Sequence, residues 1–372
     1  MRVLVVNTVA FDNNGISKHI LAYCRRLNQT NFIIDFVVNE TIADSSKSQL
    51  EGSHFFILSR RKKNLFSYCR ELIGIIRQGN YELIHIHGNS ATMLVETLSA
   101  KLSGKRIKII AHGHAVHSDH PLFHKVAKKL LGASCDQIFA CSHEAGKFIC
   151  QGDAYRVISN FIEGADFRFK PIKRQELRSK MQLEDQKVLL HVGNFTPAKN
   201  HFFLLDLLGA LLKTSSNVRL ILIGDGELAE SVVEYGERLG VNHHVTYLGQ
   251  LTNPADYYDV ADIFVMPSLF ESFGTALLEA QCAGLPCYAS NRIPSIVKIS
   301  QDVFFLPIED SLKEWARLIH QETCKLESRK KGQIKVKNSP FDADRNVKGL
   351  AKLYGEIVWD HTQGDKRWQR NK

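Results

Sequence analysis

The chain has 372 residues, too many for one ordinary domain and suited to two. Hydrophobic residues make up 44% of it and charged residues 23%, the balance of an ordinary globular protein, which leaves disorder to the ends, such as the polar tail 364–372. No apolar run approaches the roughly 20 residues that span a bilayer.

The net charge of +9 is uneven: residues 1–170 carry +8 and the remainder +1. A basic first half fits nucleic acid, anionic lipid or a phosphorylated substrate, or a merely solvated surface. The opening MRVLVVNTVAF has a short apolar stretch without a small-residue cleavage site, so it reads as a first strand and not a signal peptide. The eight cysteines are scattered without a CxxC pair, and Cys282 and Cys287 read as structural. A reducing, cytoplasmic setting fits them better than disulfides or zinc.

Apolar runs then alternate with amphipathic stretches from end to end, the pattern of an α/β protein with parallel sheets. In the first half, strands are expected at 3–7, 32–38, 54–58, 83–87, 107–112 and 137–140. Helices are expected at 17–27, 65–77, 92–102, 122–131 and 144–150. The pattern restarts after a charged stretch, 170–186, with strands at 188–192, 219–223, 245–248, 263–266, 286–289 and 304–306. A long polar segment, 325–340, precedes a last helix over about 344–360, which is free to pack on either domain. The expected division is 1–168, 169–342 and a C-terminal helix with a polar tail, 343–372. No short-period repeat is present, so a solenoid is excluded.

In open parallel sheets, ligands sit beyond the carboxyl ends of the strands. After strand 188–192 comes Gly193-Asn194-Phe-Thr-Pro-Ala-Lys199-Asn200, then a helix. Free amides and the helix dipole there favour an anion, and Lys199 adds a cation. Read alone, the turn fits a solvated lysine equally well. Gly224-Asp-Gly-Glu ends the next strand and by itself marks a strand-to-helix corner. After strand 263–266, Glu271 lies in a loop, Phe273-Gly274 opens a helix, and Glu279 sits within a small, apolar stretch. An acid there is costly unless it is paired, faces a polar ligand, or lies on the exposed face. Glu271 also suits a partner of the helix dipole.

Glu271 and Glu279, with Ser-Phe-Gly after the first, resemble the paired-glutamate motif of the family-4 retaining glycosyltransferases. The resemblance runs along most of the chain. It takes in Asn14-Gly15, His87, His112, Ser142, Ser159-Asn160-Phe-Ile-Glu163, Lys199 and Gly224-Asp-Gly-Glu in the same order. Among family members, the sequence is most similar to bacterial enzymes that build capsular or exopolysaccharide units. The resemblance implies the GT-B fold, two Rossmann-like domains facing a central cleft, with the final helix crossing back to the first. It implies an acceptor on the first domain and a nucleotide-sugar donor, with UDP as the expected base, on the second. Glu279 would bond the donor ribose and Lys199 would balance the diphosphate. Glu271 would lie near the transferring hexose, with the amides of Phe273 and Gly274 beside its hydroxyls or the phosphates. His112 would contact the sugar, and Gly15 would let the backbone approach the diphosphate. Glu271, His112 and Lys199 are the catalytic candidates, and Gly193 and Asn194 join the donor-binding set. One departure stands out: Asn194 occupies the place where the family usually has arginine, and an amide neutralises no charge.

No metal or other cofactor is expected. Asp342-Ala-Asp344 is formally a DxD but precedes a helix and reads as capping. The histidines at 85, 87, 112, 114, 117 and 120 fall on strand ends and a loop, without the helical spacing of a zinc motif. Lys125, Lys128 and Lys129 share an expected amphipathic helix with Leu122, Phe123 and Leu131, which reads as a membrane-surface element or an ordinary surface helix. Basic clusters at 60–63 and 101–108 add to it. The expected partners are therefore a nucleotide-sugar donor, a glycan or lipid-linked acceptor and an anionic inner-membrane surface. Nucleic acid is disfavoured, because no binding signature interleaves aromatics with the basic runs. The first strand is not followed by GxGxxG, which disfavours a dehydrogenase. A sugar-nucleotide epimerase, a phosphorylase and a catalytically weak nucleotide-sugar binder stay open as alternatives.

Overall fold

A computed structural model of the chain describes all residues except 10–14, 29, 39–46, 48–49, 51, 59–60, 62, 117, 153, 310–311 and 370–372. The side chains at 15, 18, 328 and 360–369 also lie outside the description. Asn14, Arg60, Lys62, His117 and the last three residues of the tail are therefore not described.

The first unit comprises Met1–Asn160 and Asp344–Lys372. Its strands are β1 (Arg2–Asn7), β2 (Ile33–Val38), β3 (Phe55–Ile57), β4 (Leu83–Gly88), β5 (Lys108–Gly113), β6 (Gln137–Ala140) and β7 (Arg156–Val157). They form one seven-stranded parallel sheet in the order β3-β2-β1-β4-β5-β6-β7. Helices cover both faces, so β4 is buried along its whole length. The final helix, Ala343–Gln369, belongs to this unit from Asp344 onward. Asn346 Nδ2 donates to Ser159 O at 2.9 Å, Asp344 pairs with Arg26, and Val347, Leu350, Tyr354 and Ile357 are buried.

The second unit, Phe161–Ala343, repeats the plan. Its strands are β8 (Lys187–Val192), β9 (Val218–Ile223), β10 (Val245–Tyr247), β11 (Ile263–Met266), β12 (Cys287–Ser290) and β13 (Val303–Leu306). All six run parallel in the order β10-β9-β8-β11-β12-β13. The chain order reverses between β8 and β11, as it does between β1 and β4 in the first unit. That reversal opens the crevice in which such sheets hold ligands.

The charged stretch 170–186 contains the helix Pro171–Lys180, and its arginines are bound. Arg174 donates to the carbonyls of Asp259, Val260 and Ala261 at 2.7–2.9 Å. Arg178 reaches Val260 O at 2.9 Å. These carbonyls end the short helix Ala255–Val260, where no intrahelical donor remains. Arg329 completes the set from within the polar segment 325–340, which contains two short helices, Leu326–Arg329 and Gly332–Lys337. It is 1% exposed, donates to Tyr258, Asp259, Ala261 and Ala283 carbonyls, and lies 3.9 Å above the Phe169 ring. Burial lowers its pKa to about 10. Three guanidinium groups thus fix the helix that carries Tyr258.

Candidate active site

β8 and β11 are neighbours, so the loops that follow them lie side by side. Gly193 N donates to Ile223 O and Phe195 N to Asp225 O, both at 2.9 Å, which lays the first loop against the end of β9. Gly224 makes that approach possible: its φ is +145°, and a Cβ there would lie 2.0 Å from Gly193 O. Leu269 N donates to Ala198 O at 2.8 Å, and Asn200 Nδ2 to Pro267 O at 3.2 Å. Asn200 takes a left-handed φ of +58° to do so, where a β-branched residue would be strained.

On this stitched pair of loops, Lys199 Nζ lies 2.5 Å from Glu271 Oε1. Ser268 Oγ donates to the same oxygen at 2.8 Å. The pair is partly shielded, with side chains 22% and 9% exposed. Gly193 sits against the Lys199 stem, and Asn194 is exposed beside it. Phe273 is buried, with its ring packed edge-on against Phe341. Gly274, at φ +94°, admits the chain into the helix Thr275–Cys282.

Glu279 does not join the Lys199–Glu271 pair. Its Oε2 accepts from the Tyr258 hydroxyl at 2.6 Å, and burial together with Glu279 raises the pKa of that phenol. The acid within the apolar stretch is therefore paired. Nothing local in the sequence signals Tyr258 or Ser268. His191, beneath the first loop, bridges to Val265 O at 2.9 Å. Burial, His201 and Lys199 keep its pKa well below 6.5.

In the first unit, His112 is fully buried within a cluster. Successive residues of a strand alternate faces, so His85 and His87 of β4 share a face, as do His112 on β5 and His114 just beyond it. The strands align His87 opposite His112. His85 Nε2 lies 3.2 Å from His112 Nδ1, and His87 Nδ1 lies 2.9 Å from His114 Nε2. One ring nitrogen each of His85, His87 and His112 falls within 4.8 Å of the others, close enough to converge on a metal ion. The helical spacing of a zinc motif is absent, but two adjacent parallel strands bring HIH and HGH side by side. Among the described residues, no carboxylate is bonded to the cluster, and burial drives each of these pKa values below 6.5. Gly15 opens the helix Gly15–Asn28.

The helix Pro121–Ser134 buries His124, Ala127, Leu131 and Ser134. Its other side exposes Leu122, Phe123, Val126 and Leu130 together with Lys125 and Lys129, whereas Lys128 Nζ turns to Lys147 O at 2.6 Å. Asp342 precedes the final helix, and Asp344 in its first turn pairs with Arg26. All eight cysteines are free. No helix among the described residues is long and apolar enough to cross a membrane.

Two family models match most of the chain between them: Glycosyltransferase Family 4 over residues 13–164 and Glycosyl transferases group 1 over residues 173–322. A putative glycosyltransferase of Bacillus subtilis, EpsF, is 26% identical over 92% of this chain and 94% of its own. The UDP-Gal:alpha-D-GlcNAc-diphosphoundecaprenol alpha-1,3-galactosyltransferase of Escherichia coli is 28% identical over 64% of this chain and 66% of its own. Among solved structures, HepE of Anabaena in complex with UDP and glucose superposes with a TM-score of 0.80 at 17% identity, covering 96% of this chain and all of that one. That likeness establishes the two-domain GT-B fold. With both halves matched in order and a relative aligned over 94% of its own length named as a glycosyltransferase, this chain belongs to the family-4 glycosyltransferases.

Proposed function

We propose that the chain moves a hexose-type sugar from a UDP-sugar to a glycan or lipid-linked acceptor in surface polysaccharide synthesis, with retention of anomeric configuration. The observation that carries this reading is Lys199 paired with Glu271 on two loops at the β8/β11 reversal. Breaking the bond from sugar to diphosphate leaves negative charge on the departing phosphate. Preorganised cations and amides at that point are usually the largest catalytic contribution. Lys199 supplies the cation, and the amides of Phe273 and Gly274 supply dipoles at a helix start. Glu279, aimed by Tyr258, is an acceptor suited to ribose hydroxyls. Glu271 is suited to sugar hydroxyls once Lys199 leaves it for phosphate. His112 is read as a sugar contact and Gly15 as a point of backbone approach to the diphosphate, with no metal or other cofactor required. Asn194 leaves Lys199 and the amides to hold the diphosphate.

The uridine donor is supported by the E. coli relative, whose name gives UDP-Gal as donor, and by HepE, solved with UDP and glucose. The same relative acts on a diphosphoundecaprenol-linked sugar, which supports a lipid-linked acceptor here. The exposed apolar and basic side of Pro121–Ser134 supports peripheral attachment to the inner face of the plasma membrane.

A thermal-shift panel of nucleotide sugars tests the donor reading. A donor at 100 times its Kd adds about 2.7 kcal/mol, and Lys199→Ala should remove most of that gain. If no nucleotide sugar shifts the transition, or Lys199→Ala leaves the shift whole, the reading fails. Anionic liposomes at low salt test attachment, with the Glu variants of Lys125, Lys128 and Lys129 expected to lose binding and lipid-acceptor activity together.

A further inference from the structure

Three buried polar groups of the first unit, Tyr354, His85 and His112, form a chain that ends on His112 Nε2. The Tyr354 hydroxyl, on the final helix, lies 2.5 Å from His85 Nδ1. His85 Nε2 lies 3.2 Å from His112 Nδ1, with the two rings within 2° of parallel. All three residues are at most 2% exposed, so bulk water does not intervene.

The direction of the chain follows from counting protons. A tyrosine hydroxyl has one proton to give, and among the described residues His85 Nδ1 is the group Tyr354 bonds. An undonated hydroxyl in the core is unfavourable, so Tyr354 donates and His85 Nδ1 accepts. A neutral His85 then carries its proton on Nε2 and donates it to His112 Nδ1. His112 is left with its own proton on Nε2. That nitrogen is buried, and among the described residues it has no partner.

We propose that Tyr354 and His85 are positioning residues that lock His112 as an Nε2–H donor for an oxygen of the donor sugar. This rests on the reading of His112 as a sugar contact. In that tautomer His112 gives a hydrogen bond and cannot accept the acceptor hydroxyl's proton, so the general base lies elsewhere. The final helix becomes part of the machinery of the first unit, since it brings Tyr354 to His85. A metal bound by His85, His87 and His112 is the competing use of these nitrogens. It would set a double positive charge among neutral imidazoles to which no described carboxylate is bonded, and it would need the lone pairs that the chain already engages.

Long-range nitrogen–proton NMR on the histidine-labelled full chain reads the tautomer directly, with His112 assigned by its loss in His112→Gln. Wild type should show His112 protonated on Nε2. Tyr354→Phe and, separately, His85→Gln should move that proton toward Nδ1. Each should raise the donor KM about tenfold with a smaller change in kcat, the loss of roughly one hydrogen bond. If Tyr354→Phe does not fold, the wild-type spectrum and His85→Gln decide. A wild-type proton on Nδ1, or a tautomer indifferent to both changes, overturns the proposal. One bound equivalent of Zn2+ that shifts His85, His87 and His112 together also overturns it. A tautomer that shifts as expected with an unchanged donor KM upholds the chain of hydrogen bonds and refutes the sugar contact instead.

Discussion

Acid should unfold the first unit before the second. Of the six imidazoles that burial holds below their ordinary pKa of 6.5 in the first unit, His124 among them, the five most enclosed are His19, His85, His87, His112 and His114. His114 is pushed down to about 3, and its neighbours are also well below 6.5. Because folding depresses these values, the unfolded chain binds the extra protons. Stability is therefore full above pH 6.5 and is lost as the pH falls below it. Between pH 6.5 and 5.5 each such imidazole gives up about 1 kcal/mol, so five remove about 5 kcal/mol. That is a large share of the roughly 5–15 kcal/mol that holds a domain folded. In the second unit burial lowers His191 and His201, the latter to about 4, which gives about 2 kcal/mol over the same interval.

Hydrogen exchange read by mass spectrometry separates the two units. Peptides from β4 and β5 report the first, and peptides from β8 and β11 the second. After correction for the intrinsic exchange rate, the opening free energy of the first set should fall by about 5 kcal/mol between pH 6.5 and 5.5, and that of the second by about 2. Equal losses in the two sets, or β4 and β5 peptides that ignore pH, would refute the view that these histidines are buried and neutral.

Glu279→Ala should abolish the donor-induced thermal shift while the fold persists. Tyr258 keeps a 3.4 Å contact with Ala276 O, so denaturant unfolding should show a loss of only about 1 kcal/mol. Gly224→Ala should cost at least about 2 kcal/mol and weaken donor binding, because a Cβ at φ +145° collides with Gly193 O beneath the Lys199 loop. Urea midpoints and calorimetric titration with UDP check both effects. Glu271→Gln should bind free UDP up to about tenfold more tightly while transferring sugar more slowly, since it releases Lys199 from its partner. Titration against turnover on the same preparation decides.

The strands were legible because both faces of each sheet are covered, which makes the strands of four or more residues mostly apolar runs, with His85 and His87 the exceptions in β4. β7, two residues long, gives no such run, and it was not expected. The segment 325–340 reads as a polar connector because composition cannot say where a guanidinium goes. Arg329 is buried only because four carbonyls from distant residues wait for its donors. Lys199 and Glu271 were legible as residues that follow strands, but their contact depends on β8 lying beside β11, a pairing that sequence order obscures. Tyr258 was invisible for a similar reason: its acceptor lies 21 positions away on another helix. The histidines were visible as HIH and HGH, but their convergence needed the register of β4 against β5.

The Lys199–Glu271 pair bears on how the site tells empty from occupied. Within 193–200 and 267–274 Lys199 is the only cation, since position 194 is asparagine. In the structure Glu271 already compensates it. On the proposed reading, an arriving diphosphate competes with a carboxylate held by Ser268, and it brings more charge and more acceptor oxygens than the carboxylate does. In that proposal, once Lys199 changes partner Glu271 keeps the Ser268 bond and turns from a charge partner into an acceptor for sugar hydroxyls. The two glutamates then divide the work by their neighbours. Glu279, tied to a tyrosine whose helix three arginines hold by its last carbonyls, is suited on that reading to stay still. Glu271, tied to a lysine that the ligand itself can take away, is built to be released.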